Sequence, residues 1–351
     1  MAAVNQRVIV LALNSGSSSL KYGLYTVAGD DPALIVGGSI ETTDDHGIFL
    51  DAIDSALRQA NAPPPTVIGH RIVHGGPRRD NHCLIDDVVM TDLAAARSFA
   101  PLHGPAAIAL IRAARARYPE VLQVACFDTT FHARMPDVAK ALPIPQAYRS
   151  EGVRRYGFHG LSCESILRQL GRDIPARLVI AHLGNGASIT AVRDGRSIDT
   201  SMGLTPSGGV MMATRTGDLD PGVLLYLLRD KAMTAEALAT MVDHMSGMIG
   251  ISGLSGDMRQ LREAALTDAA AKLAIQMFER SVCKQVAAMA ASLGGVDRLV
   301  LTGGIGENDI ATARAIRAGL TWLPSLRVMT MPSQEDEQIA LHAARLQGTN
   351  H

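Results

Sequence analysis

The chain has little cysteine and no surplus of charge. Its four cysteines, Cys83, Cys126, Cys163 and Cys283, form no CxxC pair and have no disulfide-like spacing. They read as reduced thiols of a cytoplasmic protein. Lys plus Arg number 33 against 34 Asp plus Glu, so the electrostatic footprint of a nucleic-acid binder is missing. No apolar run reaches the roughly 18 residues that a membrane helix needs. The opening MAAVNQRVIVLALNSG has too short an apolar run to read as a signal peptide. His70 and His74 are four apart, but no further ligand pattern follows them, so zinc is not expected. The Gly-x4-Gly-Lys spacing of a Walker A loop is absent as well.

What is present is a duplication. VIVLALNSGSSSLKYGLY (8–25) and RLVIAHLGNGASITAV (177–192) share one design, and Leu13, Gly16 and Ser18 match Leu183, Gly186 and Ser188 at a constant offset of 170. Each copy is an apolar run, a tight loop of Gly, Ser and Asn, and a second strand-like run, which predicts a β-hairpin. Small residues let a backbone approach a ligand, and successive N–H groups can cradle phosphate oxygens. With 351 residues there is room for two domains, and two such loops suggest a polyphosphate gripped from both.

The remaining pattern is α/β. Strands are expected at 8–13, 20–27, 67–74, 121–127 and 298–301. Helices are expected at 51–59, from Thr91 (as cap) to before Pro101, from Pro105 to about Ala116, at 271–293 and over 334–346. On the long helix, Leu273, Met277, Phe278, Val282, Val286 and Met289 are expected to share a core-facing side. The polar, Gly-punctuated stretch 148–159 marks a domain boundary. The expected division is 1–147, joined by a C-terminal helix in 334–351, against 148–333.

Several residues could carry chemistry. In the first loop, Ser17, Ser19 and Lys21 could bind phosphate; the same residues also make an ordinary hairpin turn with a surface lysine. The second loop, His182 to Ser188, and a third Gly-rich turn, Gly303 to Asn308, favour phosphate. Arg71 and Arg215 lie among Gly, Thr, His and Asp, where a guanidinium could meet anionic oxygens or a surface partner. Asp128 follows an apolar strand, at the edge where α/β proteins gather their chemistry. It could hold Mg2+ or act as a base. His159 stands between Phe158 and Gly160 near the boundary.

In order along the chain, LNSGSSSLK, GHRIVHGG, PLHGP, FDTTFH, RRYGFHG, HLGNGASI, DTSMGLTP, ATRTGDLDP, SGMIGISGLSGDMR, GGIGEN and PSQED resemble the motifs of the acetate kinase family of short-chain acyl kinases. The resemblance implies a duplicated two-domain actin-like ATPase fold, ribonuclease H-like, of the acetate and sugar kinase, Hsp70 and actin superfamily, with ATP held in the cleft. It implies transfer of phosphate from ATP to acetate, with Mg2+ (or Mn2+) as cofactor, and a homodimer. By the same resemblance, Arg71 and Arg215 flank the phosphoryl group, His159 donates to it, and His182 lies close by. ATP contacts fall to Asn14, Ser17, Ser19, Lys21, His182, Gly184, Asn185, Gly186, Asp257, Met258, Arg259, Gly303, Gly304, Gly306, Glu307 and Asn308. Asn14, Asp128 and Glu335 match the magnesium site. Val73, Leu102, Phe158 and Pro206 match the pocket for the acyl methyl group.

The chain also departs from the family pattern. It is shorter between Lys21 and Gly69 and after Asn308, and Gly104, Ser207, Gly208 and Ala213 replace the usual residues. Propionate or another short acid is an alternative acceptor. A hydroxyl-substrate kinase of the same fold, or a chaperone or filament ATPase, stands further off. The two arginines favour an anionic acceptor.

Overall fold

The computed structural model describes residues 7–16, 19–41, 46–99 and 104–349, except for the side chains of Ser19 and Ser98. The chain forms two compact units. One comprises Met1–Ala133, His159–Ser165 and Gln334–His351, the other Arg134–Phe158 and Ile166–Ser333. Residues 134–147, expected with the first half, thus fall in the second unit, and 159–165 return to the first.

The first unit is built on a sheet of β1 (Val8–Ser15), β2 (Ser19–Ala28), β3 (Asp31–Glu41), β4 (Val67–Ile72), β5 (Cys83–Leu84) and β6 (Leu122–Phe127), in the order β3-β2-β1-β4-β6-β5. β1 to β3 form an antiparallel meander, and β4 and β6 continue parallel to β1. Side chains of β1 alternate between two buried faces, as a two-residue repeat requires. Leu11 and Leu13 pack with Phe49, Ile53, Ile68 and Leu110. Val10 and Ala12 pack on the other side with Ile339, Ala340 and Ala343 of the helix Glu335–Gly348. Both faces are covered, so β1 reads as a continuous apolar run. Gly69 permits the close approach of that helix, because a Cβ there would lie 2.6 Å from Ile339 Cγ2.

The second unit repeats the plan. Its sheet comprises β7 (Arg177–Leu183), β8 (Ala187–Arg193), β9 (Arg196–Thr200), β10 (Arg298–Thr302) and β11 (Arg327–Thr330), in the order β11-β10-β7-β8-β9. Again the first three strands are antiparallel and the last two run parallel to the first. The hairpin repeat visible in the sequence is therefore one part of a duplicated five-strand pattern. Its third strands, β3 and β9, were not expected from the sequence. In β3 most residues are exposed or half-buried, so no apolar period marks it.

Other expectations need correction. The first helix begins at His46, well before Asp51. Thr91 caps nothing. Asp86 is the N-cap of the helix Asp87–Ala95 and accepts from Val89 N–H at 2.7 Å, while Thr91 bonds back to Asp87 O inside the helix. The Gly303–Asn308 segment is a short helix rather than a turn. On the long helix, Ala269–Leu293, Phe278, Val282, Val286 and Met289 are buried as expected. Leu273 and Met277 are 49% and 39% exposed, and Ala271, Ala274 and Ile275 take the core positions instead.

Candidate active site

In the first unit, four expected site residues meet in one hydrogen-bond network. Asn14 lies near the end of β1, Arg71 near the end of β4, Asp128 just after β6 and Glu335 at the start of its helix. The parallel strands bring the first three to one sheet edge. Arg71 Nη2 donates to Asp128 Oδ2 at 2.7 Å, and its Nε lies 3.0 and 3.2 Å from the two carboxylate oxygens. Arg71 Nη1 donates to Asn14 Oδ1 at 3.1 Å and lies 3.7 Å from Glu335. The Asn14 amide then donates to Glu335 at 3.2 Å and to Asp336 at 2.7 Å.

Asp128 is fully buried. Burial pushes its carboxyl above the usual range, helped by the Glu335 and Glu164 charges and opposed by Arg71. Burial likewise raises Asp336 against the Asn14 hydrogen bond. For Arg71, burial alone would lower the guanidinium, but the charges of Asp128 and Glu335 outweigh it and the net direction is upward. Arg71 thus faces three carboxyls, and Lys21 acts on Asp336 as well. Such an excess of hard oxygen donors, with an amide beside them, suits a divalent cation of the magnesium class.

The backbone of Asp128 is held from two sides. Its N–H donates to Ile72 O and its carbonyl accepts from Gly160 N–H, each at 2.9 Å. Gly160 is required there, because a Cβ would overlap Asp128 O. The same contact seats His159, which is buried and takes a left-handed φ of 57°. Only a few per cent of non-glycine residues do so, and strain of this kind gathers at functional sites. Val73, two residues beyond Arg71, is buried and lines a small apolar cavity with Ile72, Leu93, Ala96 and Ala107. Lys21 is exposed and faces Asn14 across the hairpin. Ser17 and Leu102 lie outside the described residues, as does the side chain of Ser19.

In the second unit, His182 lies one residue before the end of β7, opposite Ser188, and pairs laterally with Thr302, the residue before Gly303. The loop Gly184, Asn185 and Gly186 and the Gly303–Asn308 helix therefore start side by side. Gly303, with φ of 78°, lets that helix start against Leu183, whose backbone a Cβ would strike. Gly304 and Asn308 are exposed, and Gly306 is buried. Glu307 turns inward: its Oε1 accepts from Gly303 N–H and Ser333 N–H, each at 2.9 Å. That oxygen braces the loop from within.

Asn185 O accepts from Ala213 N–H at 3.3 Å, and Arg215 Nη1 donates to the carbonyl of buried Pro206 at 3.1 Å. Asp257 caps the helix Met258–Ala264 and pairs with exposed Arg259 at 2.6 Å. Met258 and Phe158 are buried.

The description Acetokinase family matches residues 42–331. The chain belongs to the acetokinase family. It is 37% identical to an acetate kinase of Rhodopseudomonas palustris (strain TIE-1), over 96% of this chain and 98% of that protein. Among solved structures it is similar to a propionate kinase from Francisella tularensis (33% identity, TM-score 0.86) and to the acetate kinase of Porphyromonas gingivalis (30%, 0.84). Each alignment covers 97% of this chain and 100% of the other. The expected fold class, α/β with the duplicated actin-like plan, is therefore that of this chain.

The sequence reading missed Asp336 as a partner of Asn14. The signal was present, since the helix opens with Glu335, Asp336 and Glu337 in succession. It also missed His82, Glu164 and His342, which lie in three separate segments and share no motif.

Proposed function

We propose that this acetokinase-family chain transfers the terminal phosphoryl group of ATP to acetate, giving acetyl phosphate and ADP reversibly. The observation that carries the reading is the Asn14–Arg71–Asp128–Glu335 network at the edge of the first sheet.

A carboxylate acceptor ionises near pH 4, roughly, so it is already a nucleophile at neutral pH and needs no base. Asp128 is thereby released for other work. The transferring group spreads negative charge over its oxygens, and catalysis rests on alignment and electrostatic stabilisation. In our reading Arg71 supplies a guanidinium held in place by the Asp128 carboxylate, and Arg215 supplies a second. His159 donates to the group in flight from a backbone kept in the left-handed region. His182, Gly184, Asn185, Gly186 and the Gly303–Asn308 helix receive the nucleotide phosphates, while Asp257, Met258 and Arg259 border the adenosine. Ser17, Ser19 and Lys21 complete the first phosphate loop. Asp128, Glu335 and Asn14 would hold Mg2+ or Mn2+, with Asp336 beside them, and the ion would neutralise phosphate charge.

Val73, Leu102, Phe158 and Pro206 form the acyl pocket in this reading. One methylene is worth only about 1–3 kcal/mol in such a pocket, and the likeness to a propionate kinase structure keeps propionate as a second acceptor. Trapping acyl phosphate with hydroxylamine across formate, acetate, propionate and butyrate tests reaction and chain length together. No product with any of the four acids would overturn the reading.

We further propose a homodimer in the cytoplasm. Val223, Leu225, Tyr226 and Leu228 of the helix Pro221–Arg229 are exposed, an apolar surface of the kind that a second copy covers. Among the described residues no helix is long and apolar enough to cross a membrane.

A further inference from the structure

The edge of β6 runs out of partners just before Asp128. β5 has two residues, Cys83 and Leu84, paired with Ala125 and Val124. By the two-residue repeat, the N–H of Phe127 points to the same edge as that of Ala125. A longer β5 would offer it a carbonyl. The chain offers a side chain instead: Phe127 N–H donates to His82 Nδ1 at 3.0 Å.

That bond decides the chemistry of the ring. A neutral imidazole has one donor and one acceptor nitrogen, so His82 must carry its proton on Nε2. His82 Nε2 lies 3.8 Å from Glu164 Oε2, and the same oxygen lies 2.6 Å from His342 Nε2. The two rings sit with centroids 3.9 Å apart. Burial lowers the pKa of His82. For Glu164, burial would raise the pKa, but the hydrogen bond with His342 and the nearby His82 ring outweigh it and hold the carboxyl at about 2. Glu164 therefore rests as a carboxylate beside both rings.

We infer that His82, Glu164 and His342 are positioning residues for Asp128. The inference rests on the proposed role of Asp128 in phosphoryl transfer. The trio fastens the three elements that carry the site. His82 holds the N–H of Phe127, the residue before Asp128. Glu164 lies about one turn beyond Gly160 on the helix Gly160–Leu170, and the N–H of Gly160 holds the Asp128 carbonyl at 2.9 Å. His342 lies about two turns beyond Glu335 on the last helix. His82 and Glu164 thereby pin Asp128 and His159 to each other, and His342 sets Glu335 against both.

Two imidazoles and a carboxylate, with ligand atoms all within 4.8 Å of one another, could also hold a zinc-class ion. The tautomer argues against it. The Nε2 lone pair needed by a metal is occupied by the proton that Phe127 N–H forces onto that nitrogen.

The test compares His82→Leu, His82→Asn and His82→Gln in the full chain. Asn carries an acceptor near the Nδ1 position, Gln carries it near Nε2, and Leu carries none. Loss of such an outer partner typically costs about 10–100-fold. We expect kcat to fall by about that factor in H82L and H82Q and to return to near wild type in H82N, with the KM for ATP little changed in all three. A nitrogen-15 imidazole spectrum of the metal-free wild type should show His82 protonated on Nε2. Wild-type kcat in a folded H82L, equal impairment of H82N and H82Q, or a proton on Nδ1 would each overturn the inference. So would stoichiometric zinc binding that H82L abolishes. Should H82L not fold, H82N against H82Q makes the same comparison. Asp128→Asn separates the two readings. Wild-type turnover there removes the role of Asp128 itself, whereas an inactive D128N beside a fully active H82L removes only the positioning role.

Discussion

Arg71 and Asp128 are joined by a fork, with Arg71 Nη2 2.7 Å and Nε 3.0 Å from Asp128 Oδ2, in a place where the carboxylate has no solvent exposure. Each group makes burial of the other tolerable. Arg71→Ala should therefore act twice. We expect kcat to fall by at least about 10³-fold, as for lost arginine fingers. We also expect stability to fall by about 3–5 kcal/mol, because a buried charge is left unpaired. Steady-state kinetics and denaturant melts check the two effects separately. Arg215→Ala should show the same kinetic loss, with its hydrogen bond to the Pro206 carbonyl removed as well. A rise in KM alone would demote either arginine to a binding role.

His159→Ala should depress kcat and leave the KM for ATP nearly unchanged. The left-handed backbone at 57° adds a second expectation. Asn tolerates that region better than Ala, so His159→Asn should fold as well as wild type or nearly so while remaining slow. Full turnover in a folded H159N would remove the histidine from the transition state.

Val73→Ala should shift preference toward longer acids. Val73 lines a small apolar cavity, and its truncation opens room for about one methylene, worth about 1–3 kcal/mol of discrimination. The ratio of kcat/KM for butyrate to that for acetate is the measurement. An unchanged ratio would put the acyl pocket elsewhere.

Acid should destabilise the first unit in two windows. Burial lowers His70 to about 4, against the hydrogen bond with Gln123. Between about pH 6.5 and 4 the unfolded chain takes a proton at His70 that the folded chain refuses, so stability falls as pH falls, by about 3 kcal/mol at full effect. Glu164, held at about 2 despite burial by its histidine partners, extends the loss below the ordinary carboxylate range. Melts of wild type and His70→Gln between pH 4 and 8 should converge toward the acid end. Parallel curves would exclude His70 as the source.

The strand-loop-strand repeat, the arginines and Asp128 were legible in the sequence because they are local: apolar runs, small-residue loops and short motifs survive without a fold. The family followed from the order of those motifs, and with it the fold class. β3 was not legible, because a mostly exposed edge strand has no apolar period. For Glu307, expected among the ATP contacts, the sequence did not show that its Oε1 accepts from Gly303 and Ser333 N–H, a contact set by backbone donors that need partners.

The sequence by itself determined the duplicated α/β plan, the acetokinase family and the residue types of the phosphate loops. Only the tertiary structure decided which carboxyls share Asn14, which oxygens hold Arg71, and that His82 completes the edge of β6 beside Asp128. The physical reason is sequence distance. These contacts join segments 57, 322 and 45 residues apart, brought together by parallel strand pairing and a returning C-terminal helix. Hydrogen-bond directions and buried charge are settled only after that packing has occurred.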